Sequence, residues 1–471
     1  MIDVLMRHQP NAPALVDPER GREICYGELV DRVGYLAALV RRELGHGLVF
    51  HVATNTVESI IVYLGCLEAM SPLCLLEPGP AARLTPLLGT YAPEALLFPA
   101  GEEEMPQGFV DASDVIGEGE NAYRLGRSLN AVPKSLHPSL ALLLTTSGST
   151  GSPKLARLTK ANILANARSI ASYLAIGPGE RAIQSLPMHY SFGLSVINSH
   201  LVAGATVVLT RHSFMRPEFW DTFNAAACTS IAGVPYVYET LHRLRFDPGR
   251  HPSLKTMTQA GGPLRRDLIQ AFHERAVLSG CRFFVMYGQT EATARIAYVP
   301  PERLATKIGS IGVPIPDGAL SLASVEDVDG DELVYQGPNV MMGYAESIAD
   351  LGVGDMLGGV LRTGDLAKRD DDGFFFLTGR LKRFAKLFGR RVNLEDVERD
   401  VEQRYPVHAA VVEGREGLRV YAERQGAVDL SEIAFYLAER FNVPPKFIAA
   451  EPIGAIPLTA SGKKNYRALP A

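Results

Sequence analysis

A run of small hydroxyl and glycine residues directly after an apolar segment constrains this chain more than any other feature. The apolar residues 142–144 predict a buried strand, and the next part of the chain contains Ser, Thr and Gly alone: Thr146, Ser147, Gly148, Ser149, Thr150 and Gly151. Such residues let the backbone approach an anion closely and donate hydrogen bonds without bulk. Lys154 adds a positive charge at the end of this segment. Residues 146–154, the Ser/Gly loop, therefore indicate polyphosphate binding.

The Ser/Gly loop differs from the phosphate loop of kinases and small NTPases, in which Gly-Lys-Ser/Thr opens a helix. Here Lys154 follows Pro153 and precedes Leu155, and the proline prevents the loop from winding directly into a helix. A polar surface loop is the alternative interpretation of such a run taken alone. Motifs further along the chain favour the phosphate-binding interpretation.

Composition and charge argue against several classes of protein. The 471 residues suit two or three compact units, and a 46% hydrophobic and 21% charged content is ordinary for a globular protein. A net charge of -5 argues against nucleic acid or a membrane surface as principal partner. No apolar run approaches the roughly 20 residues that span a bilayer, the first residues lack signal-peptide character, and the five cysteines are scattered. We expect a cytoplasmic enzyme.

Strand-like and helical segments alternate in the first part of the chain. Apolar residues recur at helical spacing over residues 26–44 and 58–70, and strand-like runs cover residues 48–53 and 72–76. This alternation favours a parallel sheet covered by helices. The acidic segment 101–121 predicts a solvated connecting loop.

Cap and turn residues give further local predictions. Thr159 is the predicted N-cap of a helix that the Gly-Pro-Gly sequence 177–179 ends. The acidic sequence 370–373 predicts a β-turn, and Asn393 precedes another predicted helix.

Four segments place chemically useful residues after apolar runs. They are residues 186–194 with His189, residues 233–235, residues 259–263 with Gly261, Gly262 and Pro263, and residues 283–291 with Tyr287, Gly288, Thr290 and Glu291. Paired glycines permit close approach of a flat ligand. Tyr287 could stack on adenine, Thr290 could donate to an α-phosphate, and Glu291 could ligate the Mg²⁺ that accompanies ATP. A lone histidine is more often structural than chemical.

These motifs resemble those of the adenylate-forming superfamily, which includes acyl-CoA synthetases, peptide-synthetase adenylation domains and luciferases. The Ser/Gly loop matches the superfamily's signature loop, although Leu155 stands where glycine is usual, and residues 287–291 match its Tyr-Gly-x-Thr-Glu motif without a gap. Residues 363–365, 379–382 and 457–463 match three later motifs. The resemblance covers nearly the whole chain.

The resemblance implies ATP and Mg²⁺ as cofactors and gives each matching residue a role. The implied nucleotide ligands are Thr146, Ser147, Gly148, Ser149, Thr150, Gly151, Lys154, Gly261, Gly262, Pro263, Tyr287, Gly288, Asp365 and Arg380. The implied catalytic residues are Lys463, Thr290, Glu291 and His189, and the implied metal ligands are Glu291 and Thr146. Asp365 would accept hydrogen bonds from the ribose hydroxyls, which Arg380 would also reach. Lys464 is expected to be an exposed neighbour of Lys463.

The implied fold is α/β with two domains. A large N-terminal domain of parallel-rich sheets covered by helices, residues 1–379, would bind ATP and the acid. A hinge at residues 380–382, with Lys382 at its pivot, would lead to a small mobile α+β domain, residues 383–471. Rotation of this domain would present Lys463 for adenylation and the loop around Gly389 for a thiol tunnel.

The favoured function is an AMP-forming acid–thiol ligase. It would activate a small carboxylic acid with ATP and pass the acyl group to coenzyme A or to an acyl carrier protein. One alternative is a stand-alone amino-acid adenylation enzyme that loads a carrier protein. No aspartate that could pair a substrate ammonium occurs between Leu186 and His200, which argues against it. Another alternative is a nucleotide-binding regulatory protein without catalysis, which leaves Glu291 and Lys463 unexplained.

Overall fold

The computed structural model describes residues 1–79, 84–101, 105–117, 121–145, 154–326, 328, 330–381, 383–387, 390–414, 417–424, 428–441, 443–458 and 464–470. They form two compact units. Unit 1 consists of Met1–Ala319 and Tyr335–Leu361, and unit 2 consists of Leu320–Val334 and Arg362–Ala471. The predicted hinge at residues 380–382 stays a prediction.

The helices within the described residues are α1 (Ile2–Leu5), α2 (Tyr26–Leu44), α3 (Val57–Ala69), α4 (Thr85–Tyr91), α5 (Lys160–Leu174), α6 (Ser191–Val202), α7 (Pro217–Ala225), α8 (Pro235–Arg243), α9 (Arg266–Leu278), α10 (Leu394–Arg404) and α11 (Leu430–Phe441). Across those same parts of the chain, no helix combines the length and apolarity that a membrane crossing requires.

The strands of the described residues are β1 (Pro13–Asp17), β2 (Arg22–Cys25), β3 (Val49–Val52), β4 (Leu73–Leu76), β5 (Ala95–Pro99), β6 (Phe109–Ile116), β7 (Tyr123–Ser128), β8 (Leu140–Thr145), β9 (Leu155–Thr159), β10 (Arg181–Gln184), β11 (Thr206–Leu209), β12 (Ser230–Gly233), β13 (Thr256–Gln259), β14 (Arg282–Tyr287), β15 (Ala297–Val299), β16 (Val313–Pro314), β17 (Ala319–Ser324), β18 (Asp331–Gln336), β19 (Gly343–Ala345), β20 (Val360–Arg369), β21 (Phe375–Arg380), β22 (Phe384–Leu387), β23 (Arg390–Asn393), β24 (Val407–Glu413), β25 (Leu418–Arg424) and β26 (Ile448–Ile453).

Two sheets dominate unit 1. In the described residues one has the order β16-β15-β14-β13-β12-β10-β11-β1-β2 and the other β19-β9-β8-β4-β3-β5-β7-β6. Strands β10 to β14 and β1 pair in parallel, as do β3, β4, β5 and β8. Crossover helices join parallel strands, so their carboxyl ends meet at one edge. The predicted α/β fold with parallel-rich sheets is confirmed.

The Ser/Gly loop connects two strands of the second sheet. Strand β8 is buried up to Leu144, and β9 returns antiparallel to it from Leu155. A strand follows Lys154, which agrees with the prediction that no helix begins directly after Pro153. Arg157 on β9 is fully buried, and its guanidinium donates to main-chain carbonyls that include those of Tyr344 and Met342. These bonds fasten β19 to β9.

Two local predictions were wrong. Residues 109–116, inside the predicted loop 101–121, form β6, which pairs with β7 at the edge of the second sheet. An edge strand tolerates polar residues, and this masked its strand character. Helix α5 begins at the predicted N-cap Thr159, which forms a capping box with Asn162, but it ends at Leu174, before the Gly-Pro-Gly sequence. Ala175 adopts a left-handed conformation with φ of 53° and ends the helix instead.

Unit 2 contains smaller sheets, and most of their paired strands lie close together in the sequence. The described residues form a β17-β18-β20-β21 sheet, a β22-β23 hairpin and a β24-β25-β26 sheet. The predicted turn at residues 370–373 joins β20 to β21, and the Asp370 carboxylate accepts from the Phe374 amide at 2.8 Å. Apolar faces of α10 and α11 pack on the three-stranded sheet to form a separate core.

Candidate active site

Three predicted site segments lie at one edge of the nine-stranded sheet. Neighbouring parallel strands β12, β13 and β14 end at Gly233, Gln259 and Tyr287, and the segments 233–236, 259–263 and 287–291 start at these ends. The segment 185–190 follows β10, the next strand of the sheet. Ligands of open α/β sheets bind at this kind of edge. The fold therefore brings together segments that are up to about a hundred residues apart.

Glycines allow the segments to pack closely. Gly261 has a φ of 91°, and a Cβ atom there would lie 2.6 Å from the Tyr190 hydroxyl. At Gly288 a Cβ atom would collide with the main-chain carbonyl of Ala294. A larger residue at either position would displace the main chain that shapes the edge.

The hydroxyl of Thr290 belongs to this arrangement. Its Oγ1 lies 3.2 Å from the Oγ of Ser191, the first residue of α6. The Tyr287 hydroxyl accepts from Gln289 Nε2 at 3.0 Å, and Tyr287 is buried. The predicted motif 287–291 thus meets the segment that contains His189.

The carboxylate of Glu291 and the amine of Lys154 adjoin one tyrosine. Tyr344 donates to Glu291 Oε1 at 2.7 Å, and Lys154 Nζ lies 5.5 Å from the centre of the Tyr344 ring. Lys154 also pairs with Glu346 at 2.5 Å. Burial, reinforced by Glu291, raises the pKa of Tyr344, so its hydroxyl stays protonated and donates. Tyr344 was not predicted as a site residue.

The loop that carries Glu291 is fixed by a buried asparagine. Asn339 Nδ2 donates to the carbonyls of Ala292 at 2.8 Å and Arg295 at 2.9 Å, and Thr293 donates to the Asn339 carbonyl. Thr293 has a φ of 64°, a conformation that costs free energy for a β-branched residue. Asn339 offsets that cost and was also missed, since it lies about fifty residues away in the sequence.

His189 is half-buried beside the carboxyl ends of strands in the second sheet. Burial lowers the pKa of His189 against the weaker opposing effects of Glu77 and of a hydrogen bond with the Ala53 main chain. Its Nδ1 is buried and has no hydrogen-bond partner among the described residues. The ring is therefore neutral at pH 7. Asn55, which the sequence did not suggest, holds the preceding segment by accepting from the Met188 amide at 3.0 Å.

A cavity runs along strands β12, β13 and β14, from their first residues to the residues before their last ones. Its lining includes Ala232, Thr258 and Met286, each one residue before a strand end, and Phe192, Ser195 and Arg295. Most of this lining is apolar, as in pockets that bind organic ligands. Arg295 is 3% exposed and was missed by sequence reasoning, although a charge within the apolar run 292–299 was a visible signal.

The predicted ribose ligands Asp365 and Arg380, which both belong to unit 2, form an ion pair. Asp365 is 1% exposed, and its Oδ1 lies 2.6 Å from Arg380 Nε across the β20–β21 ladder. The preceding turn is held by Glu332, which accepts from the Gly364 amide at 3.0 Å and from Arg362. These contacts orient the Asp365 carboxylate, and its role towards ribose stays a prediction.

The position of Lys464 corrects the expectation that it is an exposed neighbour. Its Nζ bonds Glu398 Oε2 at 3.1 Å, Glu402 Oε1 at 3.0 Å and the Ala409 carbonyl. The two carboxylates outweigh burial and raise the pKa of Lys464. Lys464 is therefore a structural anchor next to the predicted catalytic lysine.

Several predicted residues lie outside the described part of the chain: Thr146, Ser147, Gly148, Ser149, Thr150, Gly151, Lys382, Gly389 and Lys463. Within the described part, no cluster of three or more His, Cys, Asp or Glu residues could hold a metal by itself. Glu291 does supply a hard carboxylate oxygen of the kind that Mg²⁺ prefers. The donors that the structure gathers, a hydroxyl, a lysine and a carboxylate, fit a nucleotide with its metal.

Comparisons with known proteins agree with this chemistry. The sulfoacetate–CoA ligase of Cupriavidus necator is 28% identical over 436 residues, which cover 88% of this chain and 83% of that protein. The feruloyl-CoA synthase of an Amycolatopsis species is 31% identical over 346 residues, which cover 69% of this chain and 68% of that protein.

A solved structure shares the fold. The O-succinylbenzoate coenzyme A synthetase of Bacillus subtilis in complex with AMP matches with a TM-score of 0.78 and 23% identity, over 99% of this chain and 97% of that chain. The same enzyme solved with ATP and magnesium ion matches with a TM-score of 0.74. The family model described as AMP-binding enzyme matches residues 3–345. As the motifs predicted, this chain belongs to the AMP-binding enzyme family.

Proposed function

We propose that the protein is an AMP-forming acid–thiol ligase that activates a carboxylic acid with ATP and transfers the acyl group to coenzyme A. The observation that carries this proposal is that Thr290, just after β14, contacts Ser191 at the start of α6, and that Phe192 and Ser195 of the same helix line the cavity. A hydroxyl that can contact a phosphate there lies next to a pocket that can hold an acid. Family membership and the CoA ligases among the relatives support the same reaction.

The first half-reaction joins two negatively charged reactants. A carboxylate oxygen attacks the α-phosphorus of ATP, the bond from that phosphorus to the pyrophosphate oxygen breaks, and an acyl adenylate forms. Thr290 donates a hydrogen bond to an α-phosphate oxygen, and Lys154 offsets the charge of the triphosphate. His189, neutral at pH 7, lies beside the acid without adding charge.

Glu291 and Thr146 are the proposed Mg²⁺ ligands. When bound, the ion offsets phosphate charge and helps pyrophosphate to leave. Tyr344 fixes the Glu291 carboxylate by its hydrogen bond. This contact keeps the ligand oriented before the nucleotide binds.

The remaining proposed nucleotide ligands orient AMP. Gly261, Gly262, Pro263, Tyr287 and Gly288 would line the adenine, and the Ser/Gly loop from Thr146 to Gly151 would cradle the phosphates. Asp365 would accept from the ribose hydroxyls beside Arg380. Lys463 would bridge the carboxylate and the α-phosphate during adenylation.

In the second half-reaction the thiol attacks the acyl carbonyl carbon, the bond to the AMP oxygen breaks, and a thioester forms. The segment around Gly389 is the proposed thiol tunnel, and Lys382 is the proposed pivot. Coenzyme A is the proposed acceptor because the relatives named above are CoA ligases. Five free cysteines and the use of ATP support a cytoplasmic location.

ATP–pyrophosphate exchange over a panel of acids and amino acids tests the proposal. We expect exchange with at least one carboxylic acid, and AMP and a thioester when coenzyme A is added, measured by mass spectrometry. Exchange with amino acids alone would indicate the amino-acid adenylation enzyme instead. No exchange with any compound would refute the ligase.

A further inference from the structure

The guanidinium of Arg295 is buried without an acidic partner. In the described residues no Asp or Glu carboxylate forms an ion pair with it, and its buried Nε has no hydrogen-bond partner. The groups that face it are the phenol of Tyr173, which shares a hydrogen bond with the guanidinium, the phenol of Tyr190 and the Phe192 ring, whose centre lies 3.9 Å from the guanidinium carbon. A single main-chain bond, from Nη1 to the Ala294 carbonyl at 3.2 Å, is also present. A buried charge without a counter-charge is costly.

The other charged side chains of the cavity have partners. Glu180 pairs with Lys255 at 2.8 Å, and Arg282 donates to the Leu174 carbonyl and the Thr256 hydroxyl, both at 2.9 Å. Among the cavity-lining side chains that the structure describes, Arg295 thus holds the one buried polar atom without a partner. Among the described residues of this mainly apolar wall, Arg295 is therefore the positive side chain that keeps an unused hydrogen-bond donor.

Arg295 is held firmly by contacts on both sides. Its carbonyl accepts from Asn166 Nδ2 at 3.1 Å and from Asn339 Nδ2 at 2.9 Å. Its guanidinium is confined above Phe192, the residue after Ser191. A group fixed in this way is preorganised to bind a ligand, because little conformational freedom is left to lose.

We propose that Arg295 binds a second, terminal oxyanion of the acid substrate, a carboxylate or a sulfonate, inside the cavity. This inference rests on the proposed function and specifies its substrate class. In this proposal the reacting carboxylate lies near Thr290 and Ser191, and the distal oxyanion meets the planar guanidinium, which can bind it through two N–H groups. The substrate is therefore a bifunctional acid with a short apolar chain between two anionic ends.

Exchange kinetics with matched acids test this inference. Short straight-chain dicarboxylic acids are each compared with the monocarboxylic acid and the ω-sulfonate of the same chain length. We expect the wild type to prefer one of the two anionic series, and the better series identifies the oxyanion. Arg295→Met should lower kcat/KM for that series by about 100-fold, as for removal of one partner of a buried charge pair. It should leave kcat/KM for the methyl-terminated acids unchanged or raise it.

Two further variants separate this effect from loss of folding. Arg295→Lys keeps the charge without the planar fork and should retain part of the preference. Arg275→Met removes another half-buried arginine that lies over a ring, 5.3 Å from the centre of Phe272 on α9. This variant should keep the wild-type kcat/KM for the anionic and the methyl-terminated acids. If Arg295→Met does not fold, as judged by its thermal melting curve, the wild-type preference and Arg295→Lys carry the test.

The inference would be overturned if Arg295→Met lowered kcat/KM equally for the anionic and the methyl-terminated acids, or if the wild type preferred methyl-terminated acids at every chain length. Either result would leave the proposed function intact. Absence of exchange with every acid of all three series would instead refute the proposed function, and the inference with it.

Discussion

Tyr344 shows how one side chain can couple two parts of a phosphate site. Its hydroxyl donates to Glu291 at 2.7 Å and its ring lies beside Lys154. The strand that carries it, β19, is fixed to β9 by the buried Arg157. A proposed metal ligand and a proposed phosphate ligand are therefore oriented by a residue that need not contact ATP itself.

Tyr344→Phe should raise the Mg²⁺ concentration needed for half-maximal exchange by about 10-fold, because loss of one hydrogen bond to a charged group costs about 1.5 kcal/mol or more. A Mg²⁺ titration of ATP–pyrophosphate exchange measures it. Glu291→Gln should raise this Mg²⁺ concentration far more, because it removes the carboxylate itself. A Tyr344→Phe profile that coincides with the wild type would contradict the orienting role.

Two buried histidines make unit 1 sensitive to acid. Burial lowers the pKa of His51 to about 3 and that of His200 to about 4. Below about pH 6.5 the unfolded chain binds protons that the folded rings do not, so stability rises with pH. The contribution of these rings is complete above pH 6.5 and is lost as the pH falls towards 4, by about 1.4 kcal/mol per pH unit for each ring.

Thermal melting between pH 7.5 and 4.5 checks this pH dependence. The melting temperature of the wild type should fall steeply below pH 6.5, and His200→Gln should give a shallower slope. His46→Gln, a change at an exposed ring, is the matched control. Equal slopes for wild type and His200→Gln would contradict the assignment.

At the scale of elements, α10 anchors the C-terminal segment. Glu398 and Glu402 lie one turn apart on this helix and both bind Lys464. Glu398 also pairs with Arg383 at 2.5 Å and accepts from the Tyr466 hydroxyl at 3.0 Å. The chain directly after Lys463 is thus tied to a helix in the core of unit 2.

Lys464→Met should lower the free energy of unfolding of unit 2 by about 3 kcal/mol, because it leaves two carboxylates partly buried without their cation. It should also reduce pyrophosphate exchange, while acyl transfer from a supplied acyl adenylate continues. Thermal melting and the two half-reaction assays measure these effects. Lys446→Met, on the exposed surface of the same unit, should change neither the melting temperature nor the rate of pyrophosphate exchange. If Lys464→Met and Lys446→Met changed these two quantities to the same extent, the anchoring role of Lys464 would be refuted.

Local sequence predicted those elements whose signals are local. Strand β8, the Thr159 cap and the strand before Tyr287 depend on neighbouring residues, and each is confirmed. Strand β6 was not predicted, because pairing at a sheet edge stabilises a polar segment whose sequence is typical of a loop. Asn339 was missed because it lies about fifty residues from the loop that it fixes. The apolar run 292–299 around Arg295 was a local signal, but the groups that bury the guanidinium come from distant segments.

At the scale of the whole molecule, the proposed roles of Lys463 and Gly389 predict separable defects. Lys463→Ala should abolish pyrophosphate formation, since the bridging amine is lost, and leave thioester formation from a supplied acyl adenylate largely intact. Gly389→Trp should do the reverse by blocking the thiol. Both half-reactions are measured on each variant; equal loss of both in both variants would contradict two conformations that serve the two steps.

The most direct test of acid activation through an adenylate follows oxygen from the substrate. The accepted acid, labelled with ¹⁸O in its carboxylate groups, is incubated with the enzyme, ATP, Mg²⁺ and coenzyme A, and the nucleotide products are analysed by mass spectrometry. Attack of the carboxylate on the α-phosphorus, followed by cleavage at the acyl carbon, predicts AMP that carries one ¹⁸O atom. Formation of ADP with the label in phosphate, or of AMP without label, would contradict the account.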